Sequence, residues 1–355
     1  MVKGYLRKNG EAGIRNKILV LYTVNCSAHM AFQIGKRLKG LGIDADVTGN
    51  ESCYDNQAMV DQLLRLSVHP NVGAVVVAAH GCEFIQGEKI ADFARKNGRP
   101  AAVVYGQKLG TGKGIERGVE LGQRFAGELD HSCELMNGFA GMTIGFTSAA
   151  SDGTIARLHP AMEAACSDLL VRGARILMPS RFLKGMGTEG IGAETSTDAW
   201  VTGKEFMRKH AAGILKAGEL PVSAGIWFSD PFPDLEPDRE ALDGLGGGIA
   251  GELTFFAGNG AVLNVVAAGS GVPASGIAAP ALMVTANEET YLRMKEDVDA
   301  FIRPREDGKA RLLELLEAAA GTVRTKAELN GRCRGLLFQN MQSKGGRRDD
   351  CLEGR

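Results

Sequence analysis

Three cysteines stand where buried strands are expected to end. Cys26 follows the apolar run 17–24 (KILVLYTV), and Cys53 lies in the loop 49–55 (GNESCYD) after a short strand at 43–47. Cys82 follows the run 72–79 (VGAVVVAA) within His80-Gly81-Cys82-Glu83. Thiolates are soft donors that suit iron, Fe–S clusters or zinc, and three at one edge could hold a cluster with one iron open to substrate. Free cysteine is also among the most buried residue types and packs as a small hydrophobe. No CxxC pair is present, so ligation and packing both stand as readings. His80 and Glu83 are candidates for proton transfer, since partial burial tunes an imidazole or carboxylate towards neutrality. Glu83 could equally cap the following helix, where the helix dipole favours a negative charge.

Other candidates have plainer alternatives beside them. Ser148, Ser151 and Asp152 follow a strand at 142–146 and could bind hydroxyls or a carboxylate, with help from free amides at a helix start. The same residues also suit an ordinary N-cap loop. Arg15-Asn16, just before the first strand, could clamp an anion, because a guanidinium meets a carboxylate with two parallel bonds. A solvated arginine is the simpler reading. His29 falls one turn into a helix and reads as structural, and Cys133, Cys166, Cys333 and Cys351 read as structural or incidental. The stretch 110–114 (GTGKG) has neither the spacing of a P-loop nor that of a dinucleotide fingerprint. The GxSxG elbow of hydrolases and the HExxH zinc helix are absent.

The elements that must position these residues alternate between strand and helix. The unbroken β-branched and alanine run at 72–79 is the pattern of a strand covered on both faces of a parallel sheet. After it, residues 87–96 carry Ile90, Phe93 and Ala94 on one helical face and charged residues on the other. Strands at 17–24, 43–47 and 101–105 and helices at 28–39, 56–68 and 115–129 continue the alternation. It predicts βαβ units, a mostly parallel Rossmann-like sheet and helices on both faces. Ligands bind outside the carboxyl ends of such strands. A second α/β segment is expected from about residue 131. It has strands at 175–178, 221–228, 261–267 and 281–285 and helices at 160–171, 198–218 and 310–320. Extended linker is expected at 229–237 and a glycine turn at 244–248. The expected division is a first α/β domain at 1–130, a second at 131–338 and a polar tail at 339–355.

Composition narrows the class. A length of 355 residues suits about two domains, and 44 % hydrophobic with 23 % charged residues suits a soluble globular chain. A formal charge of −1 gives no electrostatic reason to expect nucleic acid or an anionic membrane as partner. No apolar run approaches the roughly 20 residues of a membrane span, and the polar start lacks a signal-peptide core, so the expected compartment is cytoplasmic. Seven cysteines at irregular spacing argue for free thiols or ligands over a disulfide framework. A symmetric homo-oligomer is the base-rate expectation.

Several stretches, in the same order along the chain, carry a resemblance to a known family. GEAGIRNKILVLYTVNCS (10–27), HPNVGAVVVAAHGCE (69–83), SDG (151–153) and GSGVPASGIAAPALMVTANEETYLRM (269–294) resemble the altronate/galactarate dehydratase family, which includes the large subunit of sulfolactate sulfo-lyase. The resemblance, spread over roughly residues 4–330, implies an iron-dependent lyase. Such an enzyme eliminates water, or sulfite, from a hydroxylated acid to give a 2-keto acid. It implies iron, as Fe2+ or an Fe–S cluster, held by Cys26, Cys53 and Cys82. Glu83, His80 or Asp152 would move the proton. Arg15, Asn16, Ser148, Ser151 and Ser270, the last in the Gly-Ser-Gly loop at 269–271, would orient the acid. The small β-rich domain of longer members is missing from this sequence, so a separate small β-rich subunit is an expected partner. Ser148 stands where members have a cysteine, and His80 where they have an apolar residue. The central glycine-rich segment is shortened between Trp200 and Glu240. A non-catalytic binding or scaffold subunit of such a lyase is therefore the alternative.

Overall fold

In a computed structural model the described residues are 2–53, 57–149, 155–183, 204–230, 248–269, 271, 273–303 and 307–331. Three sheets form the body. The first to close is four-stranded and parallel, in the order β4 (Ala45–Gly49), β3 (Lys17–Tyr22), β5 (Val72–Ala79), β6 (Ala101–Tyr105). Alternation along β3 sends its side chains to two different cores. Ile18, Val20 and Tyr22 meet helices α1 (Asn25–Gly40) and α5 (Thr111–Glu128) on one face. Leu19 and Leu21 meet helices α2 (Gln57–Ser67) and α3 (Gly87–Lys96) on the other. A short helix α4 (Gly106–Leu109) follows β6. Every residue of β3 and β5 is buried, as a strand covered on both faces must be.

The second sheet has seven parallel strands. They run β10 (Ala211–Leu215), β11 (Gly225–Ser229), β9 (Arg175–Pro179), β8 (Thr143–Ala149), β12 (Ala261–Ala268), β13 (Ala281–Thr285), β14 (Ala300–Phe301). Helix α6 (His159–Val171) and the helix Gly308–Ala320 cover one face, where Phe146, Ile176, Met178 and Val265 are buried. The helix Gly248–Gly258 covers the other with Leu253 and Phe256. Both sheets are α/β layers with parallel strands and helices on either side, as the alternation of strand and helix patterns predicts. A small antiparallel sheet, β2 (Ala12–Gly13), β1 (Val2–Leu6), β7 (Glu134–Met136), completes the body. Val2, Ala12 and Ile14 are buried in the core of the seven-stranded sheet.

The two parallel sheets meet at the amino ends of their strands through side chains bonded to main chain. The Nδ2 of Asn71 donates to Val262 O (2.8 Å) and Ala278 O (3.1 Å), while its Oδ1 accepts from the amides of Ile14 (2.7 Å) and Arg15 (3.2 Å). Nε2 of His69 lies 2.9 Å from Ala261 O, and Nδ1 accepts from the Asn71 amide at 3.0 Å. Burial first, then the nearby charges of Arg7, Arg99 and Lys17, hold His69 neutral down to about pH 3, against the pull of its bond to Ala261.

Several expected elements differ. The helix expected over 198–218 is a short one, α7 (Lys204–His210), followed directly by β10. Ala211–Leu215 pairs with β11, and Gly213 lets the Trp227 ring lie against the backbone, a contact that a Cβ would obstruct at 2.9 Å. Gly248, expected to close a turn, opens a helix that is buried almost all round. Such a helix has no polar stripe by which periodicity would reveal it. The strand expected over 221–228 begins only at Gly225. The linker after Asp230, most of the glycine turn at 244–248 and the tail beyond 331 lie outside the described residues.

Candidate functional site

The order β4-β3-β5-β6 places a topological switch point between β3 and β5, where successive connections leave in opposite directions and a crevice opens beyond the carboxyl ends. Thr23 ends one side of it and His80 to Glu83 end the other. The hydroxyl of Thr23 donates to Oε1 of Glu83 at 2.5 Å, joining the two strand ends. The loop then folds back onto the same carboxylate. The amides of His80 (2.9 Å), Gly81 (2.6 Å) and Cys82 (2.9 Å) all donate to it. Gly81 makes this turn possible with a φ of +127°, a conformation L side chains rarely adopt. Burial alone would raise the Glu83 pKa. The bonds from Thr23 and from the amides of Gly81, Glu83 and His80 outweigh it and hold the carboxyl below its ordinary value.

That arrangement matches neither reading of Glu83: helix α3 begins at Gly87 with Gln86 as its N-cap, and the carboxylate binds amides of its own loop instead. An ionised carboxylate has about four lone-pair sites, and here four donors fill them. Glu83 therefore positions the loop rather than waiting for a proton. His80 is half-buried beside Gly106, where an added Cβ would lie 3.5 Å from its Nδ1, and its carbonyl accepts from the Gln107 amide at 3.0 Å. Across the edge, Asn50 is buried and ties Thr23 O (3.4 Å) to Ser52 O (2.7 Å). The Tyr22 hydroxyl donates to Glu51, and burial together with that acid pushes the phenol pKa up.

The three sequence-selected thiols all reach this edge. Cys26 lies in the first turn of α1, Cys53 follows β4 and Cys82 follows β5. All three are exposed free thiols. The Phe84 amide donates to Cys53 O at 3.3 Å, so the loops after β4 and β5 touch. Among the described residues no three His, Cys, Asp or Glu side chains are gathered so as to hold a metal ion. The donor chemistry fits a soft or borderline metal, and the donors share one edge, but they do not close into one ligand shell.

Two sequence-selected residues sit elsewhere. Arg15 and Asn16 precede β3 and so lie at the amino end of the sheet, opposite the crevice. Arg15 is 3 % exposed and gives two parallel bonds to Glu328, from Nε (2.8 Å) and Nη2 (2.9 Å). Its fork is spent on an internal carboxylate, so it does not clamp a substrate. Asn16 accepts from Arg7 and donates to Asp130 O. Both corrections have one cause: a residue before a strand goes to the wrong end of a parallel sheet for ligand binding. Ser151, Asp152 and Ser270 lie outside the described residues.

The seven-stranded sheet has a topological switch point of its own, between β8 and β12. Ser148 sits there, in register with Ala267. Beside it is a cluster that the sequence reading did not select. Arg181, just past β9, pairs with Glu252 of the helix Gly248–Gly258, and its Nη2 donates to Ser148 O (2.8 Å) and the Thr147 hydroxyl (3.1 Å). Thr147 in turn donates to Glu252 at 2.6 Å. Arg181 follows a strand end and was open to the same reasoning that selected Cys82. Glu252 was not, because its helix carries no periodic signal.

The open parallel sheets, each with a topological switch point at its carboxyl edge, define the chain as an α/β protein. Residues 4–130 match the family described as D-galactarate dehydratase/altronate hydrolase, second domain, and over that segment the chain resembles this family. Altronate dehydratase of Escherichia coli K12 is 33 % identical over 93 residues, covering 23 % of this chain and 19 % of that protein. The match thus spans about a fifth of that relative's length. Among solved structures, the E. coli heptosyltransferase WaaC with ADP is 12 % identical, covering 86 % of this chain and 100 % of its own at a TM-score of 0.23. MurG of Acinetobacter baumannii is 11 % identical, covering 90 % and 96 %, also at 0.23. Superpositions this loose carry no argument about fold or function.

Proposed function

We propose that this chain is the body of a hydro-lyase that removes water from a sugar acid or related 2-hydroxy acid, leaving a 2-keto acid. One observation supports the reading most: Cys26, Cys53, Cys82 and the Glu83 loop share the carboxyl edge of three neighbouring parallel strands, within residues 4–130. Iron held by these thiols would supply a Lewis acid that polarises the substrate carboxylate and its adjacent hydroxyl. The remaining work falls to the chain. Glu83, already ionised and saturated with donors, keeps the loop in shape and presents Cys82 and His80 to the crevice. His80, half-buried and on the same loop, holds or moves the proton, since removal of an α-proton needs a base within hydrogen-bond reach.

The failure of three donors to close into one shell favours a second reading, a binding or scaffold subunit that has kept the fold without turnover. Anaerobic purification with iron reconstitution separates the two. A lyase takes up stoichiometric iron, loses it in Cys26→Ser and Cys82→Ser, and makes keto acid from a member of an aldonate and aldarate panel, with or without a small β-rich subunit. Release of sulfite from sulfolactate in the same assay would assign the sulfo-lyase variant. No iron and no keto acid under every condition would overturn the lyase reading and leave the scaffold.

A further inference from the structure

Strand β6 ends beside the turn that carries His80 to Glu83. Its last residue, Tyr105, is in register with Ala79, the last of β5, so the chain leaves both strands at the same level. The pairing runs one step past the strands, because the Gln107 amide donates to His80 O at 3.0 Å. Gly106 packs beside the His80 ring. A Cβ added there would lie 3.5 Å from Nδ1 of His80 and 3.6 Å from Ala79 O. The start of α4 is therefore set directly against the turn.

The side chain of Gln107 lies along the turn itself. A Cβ added to Gly81 would meet Oε1 of Gln107 at 2.9 Å, its Cδ at 3.5 Å and its Cβ at 3.6 Å. The carboxamide thus adjoins the one residue that separates His80 from Cys82. Gln107 is exposed, and among the described residues its carboxamide has no hydrogen-bond partner. The polar side chains around it are already engaged. Thr23 donates to Glu83, and Glu83 accepts from three amides besides. Asn50 donates to Thr23 O and Ser52 O, and Tyr22 donates to Glu51.

A carboxamide offers an acceptor oxygen and two N–H donors side by side. A hydroxyl uses both kinds of group, a donor for its oxygen and an acceptor for its proton. A carboxylate takes donors only, and a cation meets it better. Being neutral, Gln107 adds no charge to an edge that already holds an ionised Glu83. We propose that Gln107 is a substrate-binding residue of this edge, which recognises a hydroxyl of a polyhydroxylated acid lying against the His80–Cys82 turn. The class of ligand rests on the lyase reading, whereas the placement of the carboxamide does not. A site built to bond a hydroxyl rejects the analogue that lacks it far more strongly than an apolar surface can.

The test uses the full-length protein reconstituted with iron under anaerobic conditions. A panel of six-carbon aldonates and aldarates is titrated against thermal unfolding, since a ligand of the folded state raises Tm with its concentration. Keto acid is measured separately on the same samples. The expected result is a saturable rise in Tm with at least one acid, and an apparent affinity at least about tenfold weaker in Gln107→Leu. Gln107→Glu, which sets a second carboxylate beside Glu83, should weaken it further. Both variants should keep the wild-type iron content and the wild-type Tm without ligand, because the side chain is exposed and supports no other group. Adipate, a six-carbon diacid without hydroxyls, should bind Gln107→Leu no more weakly than wild type. An equal loss for adipate would make the effect structural and overturn the assignment. Unchanged affinity in both variants, with keto acid formed, would overturn the role of Gln107 and leave the lyase reading standing. Hydroxyl-dependent binding without keto acid would do the reverse. No binding of any acid to wild type would overturn the assignment whatever the keto-acid result.

Discussion

Replacing Glu328 by Gln should cost about 3 kcal/mol at neutral pH, and that cost should vanish in acid. Glu328 is 5 % exposed and accepts both bonds of Arg15, one from Arg324 (2.9 Å) and one from the Thr325 amide (3.0 Å), with Lys17 at 3.9 Å. Burial by itself would raise its pKa. Arg15, then Lys17 and the Thr325 amide, overcome that and depress it from 4.5 to about 2. At about 1.36 kcal/mol per pKa unit, the depression is worth roughly 3 kcal/mol. The loss on cutting one partner from a buried ion pair, about 3 to 5 kcal/mol, agrees. Glutamine keeps the size but takes the acid from Arg15, while Lys17 keeps Asp46 at 2.8 Å. Because the folded pKa lies below the unfolded one, this stability is complete above about pH 4.5 and is lost as pH falls through about 2. Asp299, which accepts from the Lys326 amide at 2.7 Å, has the opposite sign. Burial raises it to about 6, helped by the charge of Glu328, so its ionisation between about pH 4 and 6 weakens the fold, and less so in the variant. Urea unfolding of both proteins from pH 7 to pH 3 measures the gap between them. A gap below about 0.5 kcal/mol at pH 7, or one that stays constant down to pH 3, would refute the reasoning.

Other outcomes follow from the same contacts. Glu83→Gln removes the charge that four donors share, so amide exchange at His80 to Cys82 should quicken by about tenfold or more, given about 1.5–3 kcal/mol for a charged hydrogen bond; unchanged exchange would return Glu83 to the list of free bases. Asn71→Ala leaves two amides and two carbonyls at the joint without partners and should destabilise by about 3 kcal/mol or more in urea. His69→Gln should flatten the loss of stability between about pH 6.5 and 4, because a histidine held neutral when folded favours the unfolded state as acid protonates it; identical pH profiles would sink that account. Gly13→Ala would drive its Cβ into the carbonyl of Pro70, and thermal unfolding should show a drop of many degrees.

The alternation of strands and helices was legible because β3, β5 and β12 are buried along their whole lengths and apolar but for Lys17 and Asn264, a pattern that a sheet covered on both faces requires. Cys26 and Cys82, which follow β3 and β5, reached a carboxyl edge for the same reason, and Ser148 lies near the carboxyl end of β8. What escaped depended on contacts between distant parts of the chain. The partner of Arg15 lies 313 residues away, and no local pattern marks Glu328 as an internal acid rather than a surface one. β10 is an edge strand of mixed exposure that follows a short helix without any proline or cap between them, so its helical and extended readings compete on equal terms. Glu252 rides on a helix with no polar face. Sequence order places a residue at one end of a parallel strand or the other, so Arg15 and Asn16, which precede β3, fall at the amino end, but it leaves open which distant partner each charged residue meets there.

The way the two halves are joined has a consequence for how this chain can change. Asn71 and His69 grip carbonyl oxygens of residues 261, 262 and 278, not the side chains found there. Such a fastening is indifferent to the identity of those residues and sensitive only to the path of the main chain. Side chains on the gripped strands are free to vary over generations, whereas a single inserted or deleted residue near 261 or 278 would shift every acceptor out of reach and part the halves.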